Sequence, residues 1–69
     1  MKFENTRPIH YSMQVQKRLH DEVQIRTDKG DPAMFAVFHK REQVSEEFGP
    51  MNQNDVINFA QGYSKALKR

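Results

Sequence analysis

The chain has no cysteine and no tryptophan, and only three glycines and three prolines among 69 residues. Each scarcity excludes something. Without cysteine there is no disulfide framework and no thiolate zinc site, the two devices that small domains most often use to supplement a thin core. With so few glycines there is no room for a glycine-rich phosphate loop of GxxxxGK[ST] or GxGxxG spacing, and neither pattern occurs. Long apolar runs are missing too. The longest uncharged apolar stretch is residues 33–38, far below the ~20 residues that span a bilayer. Residues 1–8 contain no signal-like apolar segment. Together these absences lead to the expectation of a soluble, cytoplasmic chain with no membrane partner.

An excess of either charge is also lacking. Eleven Lys and Arg stand against nine Asp and Glu, a net charge of +2. Residues 1–35 carry six basic and five acidic side chains and residues 36–69 carry five and four, so each half is +1. The pI of 9.2 therefore reflects no basic tail or block. Val, Ile, Leu and Phe make up about 22% of the chain, just above the ~20% below which disorder is the default. One small folded domain over residues 1–69 is the expectation.

Residues 1–8 are polar and end in Arg7-Pro8, which predicts an extended or frayed start. Ile9, Tyr11, Met13, Val15 and Leu19 occupy odd positions. That alternation predicts a strand, whereas Tyr11, Val15, Leu19 and Val23 at i, i+4 spacing, after Ser12 as a cap, would make a helix. Strand is the better match. Val23, Ile25 and Thr27 continue the alternation as a firmer strand. Asp28-Lys29-Gly30-Asp31-Pro32 reads as a turn, with Gly30 supplying positive φ and Asp28 an Asx closure. Residues 33–40 then complete a hairpin. Residues 41–48 read as a short strand or loop, stopped by Gly49-Pro50. Val56, Phe59, Ala60, Tyr63 and Leu67 form a helical stripe, with Asn52 or Asn54 as its cap and Asp55 in its first turn. Gly62, inside this helix, suggests close packing on a sheet.

The resulting class is α+β, β-β-β-α: a small antiparallel sheet of about three strands with the C-terminal helix on one face. If residues 9–20 are helical the order is α-β-β-β-α. That order is similar to the double-stranded RNA-binding domain, which has about this length and ends in a helix. The similarity is confined to element order. Asn52-Gln53-Asn54-Asp55 stands where that family has a basic, alanine-rich helix start, and its clustered lysines have no counterpart.

Chemistry is sparse. His10, His20 and His39 show no HxxxH or HExxH spacing, and His20-Asp21-Glu22 is the densest ligand cluster, better read as a polar turn. No Gly-flanked elbow surrounds Ser12, Ser45 or Ser64, and the pairs Asp21/Glu22 and Glu46/Glu47 read as solvated charge. Neither an enzyme nor a metal or cofactor is expected. The run 34–38 is apolar on both faces: Met34, Ala36 and Phe38 point one way, Phe35 and Val37 the other. One helix covers one face. The leading expectation is therefore a small interaction protein, an accessory regulator or inhibitor of phage or mobile-element type, docking a protein partner or a second copy of itself. Phe35 and Val37 would form the docking face, rimmed by Arg26, His39 and Arg41, or an edge strand would add to a partner's sheet. The alternative is a nucleic-acid-binding module using Lys17, Arg18, Lys40 and Arg41, with Tyr11 or Phe35 for stacking.

Overall fold

A computed structural model describes residues 5–67, the side chain of Pro32 excepted. The elements are β1 (Thr6–Ile9), α1 (Met13–Lys17), β2 (Val23–Asp28), β3 (Asp31–His39), β4 (Glu42–Gln43), a 3-10 turn (Pro50–Asn52) and α2 (Gln53–Leu67). The strands form one antiparallel sheet in the order β1-β2-β3-β4. This is the expected α+β arrangement, with a fourth strand.

The expectation for residues 9–19 is corrected. Ile9 ends β1, and Met13–Lys17 form a short helix. Local capping decides it: the Ser12 hydroxyl accepts the Val15 N–H at 3.4 Å, and the Gln16 side chain accepts the Tyr11 N–H at 3.2 Å. Val15 and Leu19 then lie four apart, Leu19 in the core and Val15 half-buried. The order is thus β-α-β-β-β-α, not α-β-β-β-α. Of the expected N-terminal stretch, Thr6–Ile9 is a paired edge strand, and residues 1–4 lie outside the described residues.

In the β2–β3 turn Gly30 has no positive φ. The Asp28 carboxylate accepts the Gly30 N–H at 2.9 Å and closes the turn instead. Thr27, fully buried, donates its hydroxyl to the Met34 carbonyl at 2.8 Å across a register irregularity. Neither Asn52 nor Asn54 caps α2: the 3-10 turn feeds into it from Gly49, without a side-chain cap bond.

α2 lies on the face carrying Val23, Ile25, Phe35 and Val37. Val56 and Ala60 of the predicted stripe are fully buried against these, and Tyr63 and Leu67 partly so. The outer edge of β3 is closed by its own chain. Val44 donates its N–H to the Val37 carbonyl at 2.9 Å, the Ser45 hydroxyl accepts the Val37 N–H at 2.8 Å, and Phe35 and Phe48 exchange two backbone bonds. The opposite edge strand carries Pro8, which has no N–H to offer.

Candidate functional site: a cationic groove and the end of the sheet

The docking face expected at Phe35 and Val37 is corrected by burial. They are 8% and 0% exposed, beneath α2. Period two sorts side chains into faces, but it does not say which face the helix takes. Arg26 lies on the other face, where its guanidinium donates to the Thr6 hydroxyl at 2.7 Å, the Thr6 carbonyl at 3.1 Å and the Gln24 side chain at 2.6 Å. It braces β1 to β2, on the face away from Phe35 and Val37. On that second face Ala36 and Phe38 are also buried, so it is not an open apolar patch either. Ile9 packs on the α2 side and does not cover this face.

His39, the third expected rim residue, sits at the end of β3 inside a polar relay. Its Nε2 is 3.2 Å from Glu22 Oε1, and its Nδ1 is 3.3 Å from the Tyr63 hydroxyl. An N–H on Nε2 donates to the carboxylate, and Nδ1 meets the phenol oxygen. Lys40 places its ammonium 3.7 Å from Glu22 Oε2, and its N–H bonds the Glu22 carbonyl at 3.1 Å. The hydrogen bond from His39, with the charges of Lys40, His20 and His39, holds the Glu22 carboxyl below its usual range. A carboxylate–imidazole–phenol line is a familiar catalytic constellation. Here Glu22, His39 and Tyr63 line no part of the groove between α1 and α2, and they tie the end of the sheet to α2. Among the described residues no cluster of His, Asp and Glu could hold a metal ion.

The side chains proposed for nucleic acid are brought together in part. Lys17 and Arg18, at the end of α1, line a groove of about 450 Å³ with Asn58, Gln61, Gly62 and Lys65 of α2. Lys65 was invisible as a partner of Lys17 and Arg18 because it is distant in sequence. Its i, i+4 relation to Gln61, and i, i+3 relation to Gly62, are the only local signals of a shared face. Lys17 and Lys65 each occupy the last turn of a helix, where cations are favoured for structural reasons alone. Yet no ion pair among the described residues engages Lys17, Arg18 or Lys65.

Gly62 is corrected as well. It is exposed, and a Cβ there would meet nothing within 4 Å. It therefore does not mark packing on the sheet. Its φ is not positive, so no backbone requirement explains it. A glycine in a helix interior costs roughly 0.5–1 kcal/mol relative to alanine. The effect of Gly62 is to leave the groove wall bare.

Lys40 and Arg41 lie on the β3–β4 turn rather than in the groove. His20, two residues beyond Arg18, has its ring centroid 6.5 Å from that of His39, the residue before Lys40. The expected stacking rings are not available here: Phe35 is core, and Tyr11 is packed against it.

No protein-family model matches the chain, and no curated protein or solved structure is significantly similar to it.

Proposed function

We propose that this chain is a non-enzymatic binding module for a phosphodiester backbone, DNA or RNA. The observation that carries the reading is the groove between α1 and α2, where Lys17, Arg18 and Lys65 converge without an ion-pair partner among the described residues. Two carboxamides, Asn58 and Gln61, add N–H donors to the same wall. Phosphate contacts position a protein without reading sequence. The expected behaviour is sequence-tolerant binding with a strong salt dependence. Three phosphate contacts give a slope of log affinity against log salt of roughly −2 to −3.

The test is a titration of labelled duplex and single-stranded oligonucleotides, DNA and RNA, at ~50 mM and ~200 mM salt. Combined Lys17→Gln, Arg18→Gln and Lys65→Gln changes are expected to reduce the affinity and flatten the slope. Gly62→Glu places a carboxylate on the groove wall where the side chain meets open space. It is expected to keep the fold and weaken binding. Absence of wild-type binding at ~50 mM salt, where electrostatic affinity is strong, sinks the proposal.

A second reading, docking on a protein partner, is supported by other residues than those expected. Met51 is 96% exposed and Phe59 39%, and Phe59 stacks against Tyr63 with ring centroids 6.4 Å apart. Phe59→Ser separates the readings: it leaves nucleic-acid binding unchanged under the first and removes the exposed ring required by the second.

A further inference from the structure

His39 and Glu42 pair across a loop of only two residues, Lys40 and Arg41. Both have positive φ, 53° and 71°. Two-residue hairpin loops with positive φ at both positions strongly favour Asn-Gly or Asp-Gly, because a Cβ is crowded in the left-handed region. Two long, non-glycine side chains in succession are an outlier that stores strain.

Intramolecular contacts do not account for this choice. Arg41 is exposed and enters no ion pair among the described residues. Lys40 meets Glu22, but at 3.7 Å between exposed side chains, an arrangement that contributes little. The backbone bond from Lys40 to Glu22 is available to any residue except proline. What Lys and Arg supply that Asn and Gly do not is a pair of cations at the tip of a short hairpin, next to His39, whose ring lies 6.5 Å from that of His20.

We infer that the Lys40–Arg41 turn is a second phosphate-contact point, engaging the same phosphodiester backbone as the groove. This inference rests on the nucleic-acid reading above. The Lys40 ammonium exchanges Glu22 for a phosphate, and Arg41 presents its planar fork to a second phosphate oxygen pair. The strain is retained because the residues that would relieve it carry no charge.

Two double variants test this. Lys40→Asn with Arg41→Gly removes the charges and the strain, whereas Lys40→Gln with Arg41→Gln removes the charges alone. Both are expected to bind labelled DNA or RNA more weakly, with the salt slope reduced by about two. The Asn-Gly variant is expected to melt above the Gln-Gln variant by about 5 °C or more. If both variants keep the wild-type slope while the Lys17, Arg18 and Lys65 variant loses it, the turn is not a contact point and the groove reading stands. If the wild type itself does not bind at ~50 mM salt, both fall. If the Asn-Gly variant melts no higher than the Gln-Gln variant, the turn holds no strain and the argument from it is overturned.

Discussion

Ser45→Ala is the most direct test of how this small sheet is closed. Beyond Gln43 the chain leaves regular pairing with β3, yet every inward group on the β3 edge from Phe35 to Val37 finds a partner. Phe48 serves Phe35 with bonds of 2.7 and 2.8 Å, and Val44 serves the Val37 carbonyl at 2.9 Å. The Val37 N–H is left to a side chain, the Ser45 hydroxyl, at 2.8 Å. That hydroxyl in turn donates a hydrogen bond to the Glu46 carbonyl, also at 2.8 Å. Val37 is 0% exposed, so the alanine variant leaves a buried donor without its acceptor.

An orphaned buried N–H costs about 1–3 kcal/mol, and losing the desolvated hydroxyl returns part of this, so the net expectation is about 1–2 kcal/mol. A chain of this length has roughly 3–10 kcal/mol in total. A loss of that size lowers the melting temperature by roughly 4–16 °C. Thermal and urea unfolding followed by circular dichroism measures it. Amide exchange at Val37 should accelerate by more than at Ile25, which lies on the central strand β2. Ser45→Thr keeps a hydroxyl and should stay closer to wild type. If Ser45→Ala melts within about 2 °C of wild type, with Val37 still protected, the hydroxyl is not what closes the edge and the argument fails.

Two further outcomes follow from polar groups. Ser64 is fully buried in α2 and its hydroxyl has no hydrogen-bond partner, so Ser64→Ala should raise stability by about 1 kcal/mol in urea unfolding. Glu22 ionises below its ordinary value of 4.5, chiefly because His39 donates to it. A folded-state pKa that is depressed contributes stability above the unfolded value, and that contribution is lost as pH falls through the folded value. Wild type should therefore lose more stability than Glu22→Gln as pH drops below about 4.5, and parallel acid-unfolding curves would refute the coupling.

What was legible in the sequence divides along physical lines. Alternation in Val23, Ile25 and Thr27 and the stripe of Val56, Phe59, Ala60, Tyr63 and Leu67 identify β2 and α2, because burial there is periodic and local patterns report it, although Phe59 of the stripe is 39% exposed. Residues 9–19 were misread because Ile9, on β1, and Val15 and Leu19, at helical spacing, happen to fall on odd positions together. A capped single turn is shorter than the window that reveals a period. The buried Phe35 and Val37 were taken for an open face because tertiary packing alone chooses which side of a two-faced strand the helix covers. The sequence reading ends a strand at Lys40 and starts a short strand or loop at Arg41, since neither residue is a turn former. Its positive φ values are a conflict between local preference and the fold, which composition cannot show.

The charge distribution shows most clearly what folding adds. By blocks of sequence the cations are diluted: Asp21 and Glu22 follow Arg18 and His20, and Glu42 follows Arg41. In the fold this dilution is incomplete, because a neighbour in sequence is not a partner in space. Glu22 is engaged with His39 and Lys40. No ion pair among the described residues joins Asp21 or Glu42 to Lys17, Arg18, Arg41 or Lys65. Binding to a polyanion depends on cations within about a Debye length of the ligand, some 8–10 Å, and on whether their own partners already hold them. Three unpaired cations around one groove meet that condition at a net charge of +2. A balanced composition is therefore compatible with a local anion site, provided the acids are tied up elsewhere, and here the Glu22 relay to His39 and Tyr63 ties up one of them.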